Sequence, residues 1–151
     1  MWDKRYWNRE LVKAANQMGT VKFEGVDQIF TWFLSAVYAS RDTAIRGELW
    51  HELSCMKDLC NGPWATCGDF NFTRYPDEII EYNGITRTMT EFPEWINEME
   101  YLDSPLNGGS FTWRRGDNHI SASRIDRSNK TCCFKLVLTI TQLCYLVASC
   151  I

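Results

Sequence analysis

Asp69 and Asn71 stand two residues apart at the end of a short apolar run, Pro63-Trp64-Ala65-Thr66-Cys67-Gly68-Asp69-Phe70-Asn71. The run reads as a strand, and residues i and i+2 of a strand face the same way. Asp69 and Asn71 then project together while Phe70 packs into the core. Gly68 lets the backbone bend or approach a neighbour closely. A carboxylate beside a carboxamide suits hydrolysis at phosphorus: the acid polarises a water or helps to hold Mg²⁺, and the amide fixes that water or a non-bridging phosphate oxygen. The same four letters, Gly-Asp-Phe-Asn, also suit an Asx-turn closing a strand.

Two further stretches carry polar groups to strand ends. Val37-Tyr38-Ala39-Ser40 finishes a buried run with a tyrosine. Its hydroxyl could donate to a phosphate oxygen, or the ring could simply cap the strand at an interface. Gly109-Ser110-Phe111-Thr112-Trp113 and Ser123-Arg124-Ile125-Asp126-Arg127 read as paired strands with polar tips. Alternation places Arg124 and Asp126 on one face, where an exposed ion pair would contribute little.

The elements that must hold these groups follow from periodicity. Residues 20–24 alternate polar and apolar, and residues 28–38 are β-branched and aromatic-rich; the two pair through Gly25-Val26-Asp27. Asp42 and Thr43 offer an N-cap, and Ile45, Leu49, Leu53, Met56 and Leu59 follow at helical spacing until Asn61-Gly62-Pro63. Residues 64–67 form the short strand and 72–85 a polar loop. Met89, Phe92, Ile96 and Met99 mark a second helix with Pro93 in its first turn. The hairpin 110–114/122–126 closes the order β-β-α-β-α-β-β, an α/β (α+β) chain.

The sequence has 151 residues, 45% of them apolar, enough for one domain with a core. Its formal net charge of −3 argues against a general nucleic-acid coat protein. The charge is uneven. Eight acids and one base occupy 77–103, whereas five bases and two acids occupy 114–130. That basic strip, with Arg114, Arg115 and Arg124, could face a phosphate backbone or be a solvated hairpin. The 7 cysteines include no CxxC pair and there are 2 histidines, which argues against a structural zinc site. An odd thiol count and a polar N-terminus imply reduced cysteines inside a cell, not a secreted chain. Residues 136–151 carry no charge, a run of 16 that falls short of the roughly 18–20 residues of a membrane span. A buried strand or displaced apolar tail is expected over 131–151, with the domain proper over 1–130.

Tyr38 in VYAS, the GDFN of 68–71, the LNGGSFTW of 106–113 and the SRIDR of 123–127 occur in an order and spacing that resemble the endonuclease/exonuclease/phosphatase family. They look most like the endonuclease domain of plant LINE-type (non-LTR) retrotransposon polyproteins. The leading MWDKR resembles the tail of a tryptophan-rich strand in those proteins, so the match runs from about residue 2 to 127. The resemblance implies a four-layer α/β sandwich of mostly antiparallel sheets, a nuclear setting, and Mg²⁺-dependent nicking of DNA without an organic cofactor. By position, Asp69 would bind the metal and orient or deprotonate the attacking water. Asn71 would hold water and phosphate, Tyr38 would contact the scissile phosphate, and Asp126 would orient a catalytic histidine. Thr112 and Trp113 would shape the site wall and the DNA contact.

The sequence also departs from that pattern. The family's metal-binding Glu and an earlier Asn precede the region that matches Met1, and its Ser-Asp-His motif follows the region that matches Arg127. No residue here corresponds to them. His119 precedes Asp126 in a hairpin loop and is a poor substitute; His51 reads as a surface helix residue. Ser40 stands where the family has proline. The expectation is a chain truncated at both ends and catalytically incomplete, or else a nucleic-acid-binding remnant without catalysis.

Overall fold

The computed structural model describes residues 4–80, 87–106, 108–116 and 120–131. His119, the Asp117-Asn118 turn and almost all of the apolar tail lie outside the described residues.

The frame is one six-stranded sheet. Its strands are β1 (Trp7–Ala14), β2 (Met18–Gly25), β3 (Thr31–Tyr38), β4 (Trp64–Asp69), β5 (Tyr101–Asp103) and β8 (Asp126–Thr131), in the spatial order β1-β2-β3-β4-β8-β5. β6 (Trp113–Arg115) and β7 (Ser121–Ser123) form a separate two-stranded hairpin. Two helices, α1 (Thr43–Leu59) and α2 (Arg87–Glu98), complete the described residues together with a short 3-10 turn. The sheet is antiparallel except for β3 and β4, which run parallel. A parallel pair needs a crossover, and α1 supplies it. The mostly antiparallel α/β architecture expected from the sequence is the one observed.

Alternation along the strands separates two cores. Phe33 and Val37 of β3, with Met18 and Trp64, face α1 and α2 and pack with Leu49, Leu53, Met56, Phe92, Trp95 and Ile96. Trp32 and Leu34 point the other way and join Phe23, Ala65 and Cys67. Phe23 and Trp32, opposite each other in the β2–β3 register, stack at 4.5 Å. Each large side chain fully buried in this way is worth about 1.5–3 kcal/mol.

α1 starts where the capping argument puts it. Asp42 Oδ1 accepts from Ala44 N at 2.8 Å and from Ile45 N at 3.4 Å. Leu49, Leu53 and Met56 are wholly buried, but Ile45 and Leu59, expected in the same stripe, are 47% and 58% exposed. Buried Arg46 and Cys60 border the stripe instead. Burial pushes the Cys60 thiol up to about 12, so it stays protonated and inert.

Several expected boundaries move. α2 begins at Arg87, so Pro93 lies inside it and not in its first turn; a ring at that position cannot donate to the carbonyl four residues back. The segment expected as a polar loop contains a 3-10 turn, Pro76–Glu78, and buries Phe72, Thr73 and Glu78. β1 and β5 add strands at the two edges of the sheet. The strand expected over 122–126 divides: residues 121–123 stay in the hairpin, and from Asp126 the chain joins the main sheet. Arg124 and Asp126 therefore do not share one strand face.

A candidate phosphoryl-hydrolysis site at the strand ends

β3 and β4 end, and β8 begins, side by side, and their register aligns three of the expected groups. Tyr38 is opposite Asp69, and Asp69 is opposite Asp126. All three follow the alternation of the Leu34, Ala65 and Cys67 face. Directly opposed residues of an antiparallel pair have Cβ atoms about 4.5–5.5 Å apart. Tyr38 is 68% exposed, Asp126 is exposed and Asp69 is half-buried between them.

Gly68 makes that alignment possible. Its φ is +137°, and a Cβ there would run into the carbonyl oxygen of Val37 on the neighbouring strand. The chain then turns. Phe70 N donates to Ile125 O at 2.9 Å and the Phe70 ring enters the helix-side core.

Asn71 is not a strand residue. It adopts a left-handed conformation, φ 54°, which asparagine tolerates better than most. Its backbone N–H donates to Asp69 Oδ1 at 2.8 Å. Strand alternation thus does not bring Asp69 and Asn71 together; an Asx-turn does. Side-chain Nδ2 donates to Ala39 O at 2.7 Å, tying Asn71 to the residue after Tyr38. α1 fastens the same turn, since Arg46 Nη1 donates to Asn71 O at 3.4 Å. One amide N–H and the amide oxygen of Asn71 keep the capacity to meet a ligand.

The electrostatics concentrate on Asp69. Partial burial holds its carboxyl above the ordinary value, and the charge of Asp126 pushes the same way. The Asn71 N–H and the Arg41 guanidinium oppose them. Oδ1 is engaged by Asn71, and among the described residues no donor engages Oδ2, which can address a water. A raised pKa makes that oxygen a better base near neutral pH.

Thr112 lies beside Asp126, but its hydroxyl is committed. Ile125 N and Asp126 N donate to Thr112 Oγ1 at 3.0 and 3.1 Å, which fixes the start of β8. Trp113 is half-buried, and Arg114 and Arg115 are exposed on the adjoining hairpin. Arg124 departs from expectation. Its guanidinium turns inward to Glu78 and Asp103, both at 3.2 Å, and to Ser104 O at 2.7 Å. It is not available to a phosphate backbone.

Two contributors escaped the sequence reading. Arg41 stands near Asp69 with no motif to mark it. Gln17, buried, holds the loop after Tyr38 by donating to Ile45 O and accepting from Ser40 N, both at 2.8 Å; nothing in its local pattern signals that reach. His51 is exposed on α1 beside Cys55, as expected of a surface residue. Among the described residues, no three His, Cys, Asp or Glu side chains group to hold a metal, and no helix is long and apolar enough to cross a membrane.

No protein-family model matches the sequence, and no curated protein matches it. Solved structures do. The endonuclease domain of TRAS1, a telomere-specific non-LTR retrotransposon, superposes with a TM-score of 0.65 at 16% identity, covering 83% of this chain and 56% of that one. An endonuclease/exonuclease/phosphatase family protein from Bacteroides thetaiotaomicron follows, with a TM-score of 0.49, 16% identity and coverage of 83% and 50%. TDP2 from Caenorhabditis elegans gives 0.47 at 16% identity, with coverage of 85% and 41%. The chain spans about half the length of the solved structures it matches.

Proposed function

Starting from the fold of endonuclease/exonuclease/phosphatase proteins, we propose that this chain is part of a LINE-type retrotransposon endonuclease domain that engages DNA phosphate at its strand ends and is catalytically silent alone. One observation carries the reading: Tyr38, Asp69 and Asp126 fall in a single row across three strands, with Asn71 locked to Asp69. Far apart in the sequence, these groups meet only because of the fold.

The roles follow from what each atom has left to offer. Asp69 Oδ2 orients and deprotonates a water. The remaining Asn71 N–H donates to that water or to a non-bridging oxygen. The exposed Tyr38 hydroxyl donates to the phosphate. Asp126 is positioned by Thr112 to orient a protonated partner, and no histidine among the described residues reaches it. Asp69 and the adjoining negative field of Asp126 fit a weakly held Mg²⁺, which ordinarily takes one or two carboxylates and completes its shell with waters and phosphate oxygens. Bound there, Mg²⁺ would neutralise charge on the phosphate. Loss of a general acid–base group costs about 10²–10⁴ in rate, which is why silence is expected without a histidine.

The test is a supercoiled-plasmid assay with Mg²⁺ beside a gel shift at low salt. The expected result is retention of DNA, weakening with salt, and no nicking. Robust nicking abolished by Asp69→Ala would overturn the inactivity. Absence of any retention would remove DNA as the ligand.

A further inference from the structure

A concavity of about 720 Å³ opens between α1 and α2 and shares no residue with the strand-end row. Trp50 and Trp95 form its apolar wall, with ring centroids 4.6 Å apart. Glu91, Glu94 and Glu98 of α2 form the acidic wall, and Gly47 of α1 leaves the space opposite open. A Cβ at Gly47 would meet nothing within 4 Å.

Three features define what the groove would hold. Glu94 and Glu98 are exposed and have no ion-pair partner among the described residues, whereas Glu91 lies within the field of the buried Arg46 guanidinium. Like charges at i and i+4 destabilise a helix, and an acid in the last turn opposes the helix dipole. Lys57 reaches this end of α2 but gives its Nζ to the backbone carbonyl of Glu98, at 2.9 Å, not to the carboxylate. Lastly, Trp95, more than nine-tenths buried, lines the groove with its ring, while its indole Nε1 is shut off from solvent and has no acceptor among the described residues. The α2 face thus carries repulsion that a cation would relieve, beside an aromatic wall that attracts cations.

We infer that this groove binds a basic peptide segment of a protein partner, with an arginine or lysine side chain lying over Trp50 between the glutamates. A guanidinium over a tryptophan face gains a cation–π attraction, and the carboxylates supply charge-assisted hydrogen bonds. Nucleic acid is a poor occupant, because phosphate would face three carboxylates.

The experiment uses the full chain and a fluorescein-labelled peptide of alternating arginine and alanine, with alternating glutamate and alanine as control. Anisotropy is read for the native protein, for E94Q/E98Q and for G47W. Melting curves establish that each variant folds. The expected result is saturable binding of the arginine peptide only, weakened about tenfold in E94Q/E98Q and lost in G47W. Equal affinity in all proteins would place the peptide outside the groove and overturn the proposal, as would no binding. Concentration-dependent self-association that G47W abolishes would assign the groove to a second copy instead, and retention of labelled duplex DNA that G47W abolishes would assign it to nucleic acid. E94Q/E98Q decides the matter even where G47W fails to fold.

Discussion

Asp126 and Arg127 are consecutive residues of β8, yet they belong to two regions with opposite electrostatic designs. Asp126 points to the strand-end row, where its charge acts against that of Asp69 on the neighbouring strand. Arg127 points to the helix side, its side chain wholly buried, and bonds Glu78 and, at 2.6 Å, Asp103. Arg124 and Arg74 add bonds to the same two acids, and the Phe92 ring lies 5.2 Å from the Arg127 guanidinium carbon. One region pairs its charges and excludes water; the other leaves like charges adjacent and half-wet. Paired charge holds β8 and the hairpin in place. Like charge on the next residue is then held where a ligand can complete it.

Breaking the paired region carries the largest expected effect. Arg127→Ala strands Glu78 and Asp103 with less compensation, and removing one partner of a buried ion pair costs about 3–5 kcal/mol. Thermal or urea unfolding measures it. A loss under about 1 kcal/mol would show that the network is not the support of β8. Next comes Gly68→Ala, which belongs to the other region. Overlap with the Val37 carbonyl and the left-handed side of φ make a cost of about 2 kcal/mol or more. Its distinctive readout is loss of DNA retention, because relieving the overlap shifts Asp69 out of the row.

The two regions were unequally legible in the sequence. The letters Gly-Asp-Phe-Asn and the terminal Tyr38 signalled polar groups at strand ends, because a buried strand shows as an apolar run and its exit as a break. Asp126 was found through motif order, but the strand it opens was not, since Arg127 to Thr131 is as polar as a loop. The paired region was nearly invisible. Glu78 and Asp103 looked like members of a solvated acidic block, and Arg124 like a member of a basic strip. Only long-range pairing, 46 residues from Glu78 to Arg124, makes them interior. β1 escaped for a related reason: as an exposed edge strand, with Leu11 64% exposed, it has no buried face to impose alternation. Asn71 joined Asp69 as expected, but through a turn whose left-handed residue no periodicity argument could supply.

Asp69→Asn sharpens the comparison by removing repulsion instead of pairing. The folded-state pKa of Asp69 lies above its unfolded value, so its charged form is disfavoured by folding. Its favourable contribution is present at acid pH and is lost as pH rises through the folded pKa. The variant should therefore melt at a higher temperature than the native protein at pH 7. That advantage should shrink as pH falls toward the ordinary carboxylate value of about 4. Asparagine can still accept from the Asn71 N–H, so the turn survives. A melting gain independent of pH would mean that the row is not under electrostatic strain.

The smallest stability effect and the finest distinction come from arginines within the basic strip. Arg114 and Arg115 are exposed, so replacing both with glutamine should change stability by no more than about 0.5 kcal/mol. Removing one arginine–phosphate interaction lowers the slope of log affinity against log salt by about 0.9, so the double variant should flatten the DNA titration by up to about 2. Arg124→Gln should do the reverse. It breaks bonds to Glu78, Asp103 and the Ser104 carbonyl, and lowers the melting temperature while leaving the salt slope unchanged. The pair of measurements separates arginines that neighbour one another in the sequence strip but belong to different regions of the molecule. A salt slope that responded to Arg124 and ignored Arg114 and Arg115 would reverse the assignment, placing the DNA-facing surface on the network side of β8.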